Sequence, residues 1–284
     1  MIRLLPCYNG TSSRYSSMED DITAAQSAGY LGLELKRWKL DDYLQRGSVG
    51  DLTRILADSG IAPPTLGPYT MVAFGDDEQR RLSLEKVRRH AEIAAALGVQ
   101  GIVMYFDEPR KPTGAIQPRN AFELLQQTAT EYADLLKEFG LFLGLESLGG
   151  QEIFRGPVEA MEIARAVRWS NVRFVFDTFH MYRNQVPISS TFGIPQEFVL
   201  IIHVSDCEPL PLPELEDKHR LYPGLGVIPL VKMLQPIIAR GYRRFISLEV
   251  PRPEYWSLPV AEVCSAGVGH LRSLMAQLEQ GDQS

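Results

Sequence analysis

LFLGLES (141–147), PVEAMEIARAV (157–167) and VRFVFD (172–177) follow one another along the chain. The first and last are short runs of leucine, valine and phenylalanine, the composition of a buried strand, while apolar residues in the middle one recur at helical spacing. A strand, a helix and a second strand in this order form a parallel pair joined by a crossover. VRFVFD leads into DTFHMYR (177–183), so the second strand ends on Asp177 with His180 three residues on. Either Asp177 caps whatever follows, or it belongs to a ligand site; one Asp–His pair does not decide between these.

The same alternation extends outward in both directions. Strand-like runs occupy 2–8, 30–36, 61–67, 99–105, 141–147, 172–177, 199–206 and 245–250. Helix-like stretches lie between them at 18–29, 48–60, 78–98, 119–140, 157–167, a weaker 189–198 and 228–241, with a closing helix from about Pro259. Glycines at 29, 60, 98, 140 and 241 stand where helices should stop. Eight strand–helix units in 284 residues predict one closed (β/α)₈ TIM barrel spanning 1–284 with a C-terminal helix. A doubly wound open sheet is the alternative, but the first strand runs into CYNGTSS without a GxGxxG loop. The third strand, carrying Pro63 and Pro64, and the helix before the seventh strand are the weakest elements.

The bulk balance narrows the function. A formal charge of −6 leans away from a nucleic-acid surface, which usually carries a basic stripe. No apolar segment is long enough to span a bilayer, and the apolar run in MIRLLPCYNG is too short for a secretory signal. Three scattered cysteines, Cys7, Cys207 and Cys264, suggest neither a disulfide framework nor a CxxC metal motif. The expectation is a cytoplasmic protein without membrane or nucleic-acid partners; homo-oligomerisation is compatible with the sequence.

In a barrel of this kind chemistry gathers at the C-terminal strand ends. Strand five presents Glu146 there, strand six Asp177, strand seven His203 and strand eight Glu249. Each alone is read as easily as a paired carboxylate or a hydrogen-bonded core histidine. Together, three carboxylates converging in one mouth repel each other, and a divalent cation removes that cost. Oxygen and nitrogen ligands without a thiolate suit one ion of the Mn²⁺, Zn²⁺, Co²⁺, Fe²⁺ or Mg²⁺ kind.

GLES with Glu146, FDTFH with Asp177 and His180, HVSD with His203, RLYPGLG (220–226) and LEVPRPEYW (248–256) with Glu249 resemble the xylose-isomerase-like sugar phosphate isomerase/epimerase family of TIM barrels, which includes endonuclease IV. Within it the chain is most similar to the inosose, or 2-keto-myo-inositol, isomerases; GYLGLELKRWKLDDYL (29–44) is similar too. The resemblance covers nearly the whole chain. It implies one divalent metal held by Glu146, Asp177, His203 and Glu249, with His180 and Arg220 at substrate oxygens. It also implies movement of a proton next to a carbonyl through a metal-stabilised cis-enediolate. Glu146 and Glu249 would then be the catalytic pair, one removing a proton and the other returning one. Two departures stand out: Gly10 replaces the acidic residue common near the first strand, and PGLGVIP has Pro229 where an aspartate is common, a proline able to open a helix at its first position.

Glu34 in LGLELKRW alternates with leucines, facing the barrel interior; it orients a ligand or substrate, or pairs with a core arginine. Lys36 and Trp38 either line the mouth or sit at a solvated strand end. Asp206 is read either as a partner of His203's second nitrogen or as a loop turn. His90, in an arginine-rich helix, is read as a surface residue, and His219 and His270 are assigned no role. Tyr255 and Trp256 cover either a substrate or a dimer contact. The leading expectation is an isomerase or epimerase of a small polyol or keto-sugar. Rivals are a metal-dependent dehydratase of inosose or dehydroshikimate, an endonuclease IV-like repair enzyme, which five histidines and an acidic balance disfavour, and a non-catalytic sugar-binding barrel.

Overall fold

The computed structural model describes residues 4–108, 118–168 and 171–280. Among the described residues there are ten strands: β1 (Leu5–Asn9), β2 (Gly32–Lys36), β3 (Thr65–Met71), β4 (Gly101–Phe106), β5 (Phe142–Glu146), β6 (Val172–Asp177), β7 (Val199–Val204), β8 (Asp206–Cys207), β9 (Arg220–Leu221) and β10 (Phe245–Leu248). Eight of them close a parallel barrel in the order β1-β10-β7-β6-β5-β4-β3-β2, while β8 and β9 pair antiparallel as a small ribbon above it. The helices are α1 (Met18–Ala28), α2 (Arg37–Tyr43), α3 (Val49–Ser59), α4 (Asp77–Ala96), α5 (Pro118–Lys137), α6 (Pro157–Ala166), α7 (Thr178–Arg183), α8 (Leu230–Ala239), α9 (Pro253–Trp256) and α10 (Val260–Gln280).

Local chemistry places the helices. Ser17 with Asp20, Ser48 with Asp51 and Asp76 with Gln79 form capping boxes that open α1, α3 and α4, satisfying backbone donors the helices leave free. All five glycines expected to end helices, at 29, 60, 98, 140 and 241, take positive φ between 70° and 94°. Inside the barrel Cys7, Val103, Val175, Leu200 and Ile201 form an apolar plug, with Phe142 and Phe245 against it. Gly101 and Gly144 make room for Leu200, since a Cβ at either would press within 2.9 and 2.8 Å of its Cδ2. Water is thereby excluded below, and the strand ends open above.

The structure departs from the sequence reading at several elements. The third strand begins at Thr65, beyond the two prolines, and its register against β4 shifts between Leu66 and Tyr69, across Pro68. Proline lacks the N–H a ladder needs, so pairing breaks around it. The weak helix of 189–198 is two 3₁₀ turns, Ile188–Thr191 and Gln196–Phe198. Pro229 caps α8, which begins at Leu230. His90 is no surface residue: it is 1% exposed, on the inner side of α4, its ring 5.5 Å from Tyr69 and its Nε2 2.7 Å from Asp41 Oδ1. Its neighbours Arg88 and Arg89 are exposed, Arg89 reaching the same Asp41 at 3.8 Å. Among the described residues no helix is long and apolar enough to cross a membrane.

Candidate metal centre

Glu146 and Asp177 are the last residues of β5 and β6, His203 lies in β7, and Glu249 follows β10. Asp177 sits beside His203 in strand register, and His203 beside Ser247. One ligand atom from each of Glu146, Asp177, His203 and Glu249 lies within 4.8 Å of the others, so adjacent strand ends converge on a space the size of one ion.

His203 is at the centre of the cluster. Its Nε2 donates to Glu34 Oε2 at 3.0 Å, while Nδ1 stands 2.8 Å from Glu146 Oε1, 3.1 Å from Glu249 Oε2 and 3.9 Å from Asp177 Oδ2. An ionised carboxylate only accepts, so without a metal both ring nitrogens carry protons, Nε2 toward Glu34 and Nδ1 toward Glu146; a cation in the cluster would take the place of the Nδ1 proton while Nε2 kept its own on Glu34. Burial works against the His203 imidazolium, but the charges of Glu34, Glu249 and Glu146 outweigh it and raise its pKa well above the usual value. Burial likewise lifts the Glu146 carboxyl, against the pull of His203. At Glu249 burial is outweighed by His203, Arg220 and Lys36, which hold its carboxyl below the usual range.

The donor set fits a hard or borderline divalent ion. Three carboxylates and an imidazole crowd together on an apolar floor, and Glu249 Oε2 is a buried oxygen without a hydrogen bond. A buried acceptor in that state is costly unless a cation completes it.

Asp177 answers both readings made of it. Its Oδ1 accepts from the His180 N–H at 2.8 Å and caps α7, while Oδ2 accepts from Arg220 Nη1 at 2.8 Å on the cluster side. Arg220 is 1% exposed and also reaches Asp217, at 3.0 Å, with its guanidinium 4.4 Å above the Phe179 ring. His180 Nδ1 accepts from the Gly149 N–H at 3.0 Å, which places the ring proton on Nε2. Arg220 Nη2 stands 3.0 Å from that same Nε2. Two donors therefore converge at this point, and an oxygen acceptor between them would satisfy both.

Glu34 lies beneath the mouth, behind His203, and does not face the opening. Its other partners are Asn9 Nδ2 at 2.9 Å, Thr65 Oγ1 at 2.5 Å and Ser247 Oγ. Of its readings, orienting a metal-site side chain is the one that matches the geometry. Asn9 also donates to Glu249 Oε1 at 3.2 Å. Asn9, Thr65 and Ser247 are neutral polar residues in apolar runs; their position on the inward face of a strand was the available signal.

Asp206 serves the loop and not His203. Its carboxylate accepts from the N–H groups of Gly224 at 3.1 Å, Ile228 at 2.8 Å and Cys207 at 3.0 Å. In the PGLG turn Gly224 takes φ +85°, and Gly226 passes so close to the ribbon that a Cβ would strike the Cys207 carbonyl. Gly226→Ala should therefore lower stability by about 1–3 kcal/mol through displacement of β8 and β9. Urea denaturation checks this, and an unchanged midpoint would show that the turn tolerates the methyl group. Tyr255 stacks on Tyr222 at 4.4 Å, and Trp256 Nε1 donates to the Thr11 carbonyl at 2.9 Å. His270 packs on Tyr222, and His219 Nδ1 accepts from the Glu216 N–H, so neither joins the cluster.

Residues 22–274 match the family model described as xylose isomerase-like TIM barrel. Inosose isomerase of Bacillus velezensis is 27% identical over 259 residues, covering 90% of this chain and 91% of that protein. The 3-dehydroshikimate dehydratase of Pseudomonas aeruginosa is 25% identical over 267 residues, 93% of this chain but 40% of the relative. Among solved structures, IOLI protein with a binding zinc atom superposes with a TM-score of 0.89 at 25% identity, covering 97% of this chain and 99% of that one. The barrel, its strand-end cluster and the match over residues 22–274 agree: this chain belongs to the xylose isomerase-like TIM barrel family.

Proposed function

We propose that this protein is a divalent-metal-dependent isomerase or epimerase of an inosose or keto-sugar, most similar in activity to 2-keto-myo-inositol isomerases. The observation that carries this is the convergence of Glu146, Asp177, His203 and Glu249 within 4.8 Å, on strand ends above an apolar floor. The inosose isomerase relatives, matched over nine-tenths of both chains, support the substrate class.

Glu146, Asp177, His203 and Glu249 would hold the ion. When bound, a divalent metal supplies Lewis-acid stabilisation of the charge that develops on the substrate's carbonyl oxygen. The chain's own groups do the rest. Glu249 and Glu146 come from strands on two sides of the cluster, so one carboxylate takes the proton from the carbon beside the carbonyl. The other delivers a proton to the neighbouring carbon. A C–H bond breaks and another forms on the former carbonyl carbon; that carbonyl becomes a hydroxyl while the neighbouring hydroxyl gives up its proton to become the new carbonyl, so composition and oxidation level are unchanged. His180 Nε2 and Arg220 Nη2 converge as donors on one substrate oxygen. Glu34 is a positioning residue that accepts from Nε2 and keeps His203 Nδ1 turned to the cluster.

The acidic balance supports a small-molecule substrate over nucleic acid, and three buried free cysteines support a reducing cytoplasm. We assign residues 1–284 to one barrel domain with its C-terminal helix; a homo-oligomer is compatible with this reading.

The test is incubation of metal-loaded protein with 2-keto-myo-inositol in D₂O. Deuterium entering beside the carbonyl, a new inosose and unchanged elemental composition are expected. Loss of water would favour the dehydratase reading that the Pseudomonas aeruginosa relative supports. Neither exchange nor product from metal-bound protein, across inososes and ketohexoses, would overturn the proposal.

A further inference from the structure

At the mouth of the barrel Lys36 is largely buried, yet among the described residues its ammonium has no partner. Lys36 is the last residue of β2, two positions after Glu34. Strand side chains alternate, and Glu34 reaches inward to His203, so Lys36 emerges on the same inward face, one layer nearer the opening. Its neighbour in register on β3 is Gly67, and its Cγ lies 3.1 Å from where a Cβ on Gly10 would stand. Gly10 thus leaves room for its aliphatic stem. In the closed ring β2 stands four strands from β6, directly across the barrel from Asp177.

Lys36 is only 4% exposed, yet among the described residues its ammonium has no hydrogen-bond or ion-pair partner. Lys39, three residues on and equally buried, shows what a structural lysine looks like here. It bonds the Ser13 carbonyl at 2.7 Å, Ser16 Oγ at 3.0 Å and Asp21 Oδ2 at 2.5 Å. An ammonium at the mouth without such partners is free to donate when a substrate oxygen arrives. The charge of Lys36 is nevertheless felt at the cluster, where it helps hold the carboxyls of Glu34 and Glu249 down. It is thus electrostatically near the metal ligands but out of contact with them.

We propose that Lys36 is a substrate-binding residue, donating to an oxygen of the substrate from the wall opposite Asp177, Arg220 and His180. This rests on the isomerase reading above and adds to it the group that holds the far side of the substrate. A polyol or keto-sugar carries an oxygen on nearly every carbon, so a substrate held at the cluster presents an acceptor across the barrel. The ammonium also favours negative charge on the substrate as the carbon-bound proton leaves.

Lys36→Met keeps the stem and removes the charge, and Lys36→Arg restores a donor at the same place. Against wild type, Lys36→Met should lower kcat/KM for 2-keto-myo-inositol about ten- to hundredfold, the loss of a hydrogen bond to a charged donor. Zn²⁺ affinity by calorimetry should hold or rise, because Lys36 touches no cluster oxygen and its positive charge opposes a cation there. Lys36→Arg should recover part of the rate, and removing a charge without a partner should leave the denaturation midpoint equal or higher. If Lys36→Met turns over within about threefold of an active wild type, or loses Zn²⁺ affinity in proportion to activity, the inference fails while the isomerase reading stands. If wild type itself acts on no inosose or keto-sugar, the isomerase reading falls and this inference with it.

Discussion

Glu249→Gln should reduce turnover at least about a thousandfold, and Glu146→Gln by a similar factor, while both variants keep the barrel fold. Glutamine has nearly the same shape, and its carbonyl oxygen can still accept from Asn9 Nδ2, which lies 3.2 Å from Glu249 Oε1. What it lacks is the ability to take a proton from carbon, together with one negative charge of the donor set. Fold is insulated from the change because these carboxylates repel one another: Glu249 and Asp177 both push the Glu146 carboxyl up. In metal-free protein Glu146→Gln should therefore leave the denaturation midpoint unchanged or raised, whereas Glu249→Gln should lower it somewhat, because His203, Arg220 and Lys36 favour the Glu249 charge. Metal-loaded protein should behave in the opposite way, since an ion that binds only the folded state stabilises it by about 2.7 kcal/mol at one hundred times its dissociation constant. Glu34→Gln separates positioning from chemistry. It disturbs the carboxylate that accepts from His203 Nε2 at 3.0 Å, so metal affinity should fall about ten- to hundredfold with turnover regained at saturating metal. If Glu146→Gln or Glu249→Gln turned over within tenfold of wild type, the two-carboxylate mechanism would be wrong.

The cluster was readable before the fold was known because each of its members interrupts an apolar run, and an ionisable side chain there needs a partner. The strand order followed from the same runs and from glycines whose positive φ ends helices, a requirement written in residue identity. Elements that escaped have a common cause: their local pattern points elsewhere. DTFHMYR continues the aromatic run of β6, yet Asp177 caps it into a one-turn-and-a-half helix, because capping is decided by a side-chain bond and not by periodicity. The β8–β9 ribbon is two residues on each side, too short for any alternation to register. Thr65 and Ser247 hold Glu34 through hydroxyls that look the same in sequence as hydroxyls facing solvent. Lys36 was ambiguous for a related reason: burial of its stem depends on the room left by Gly10, which only tertiary packing brings beside it.

Arg220→Met should destabilise the metal-free protein by about 3–5 kcal/mol, the largest stability loss expected of any single change at this site. The guanidinium is a buried hub. Nη1 donates to Asp177 Oδ2 at 2.8 Å and to Ser205 Oγ at 3.3 Å, Nε donates to Asp217 Oδ1 at 3.0 Å, and Nη1 is 3.6 Å from Glu249 Oε2. Burial opposes its charge, but Asp177, Asp217 and Glu249 more than compensate, so the arginine stays protonated. Methionine would fill much of the volume above Phe179 but leave Asp177, 1% exposed, as an uncompensated carboxylate beside Glu146 and Glu249. That uncompensated charge is the main cost. Two further outcomes distinguish it from simple loss of packing. Arg220→Lys keeps a positive charge without the planar fork, so it should recover part of the stability but not the donor that converges with His180 Nε2 on a substrate oxygen. Saturating Zn²⁺ should shrink the penalty of Arg220→Met, because a cation at Asp177 replaces the lost guanidinium charge. A denaturation midpoint that moves by less than about 1 kcal/mol in metal-free Arg220→Met, or a penalty indifferent to Zn²⁺, would show that Arg220 does not hold the cluster's charge in balance.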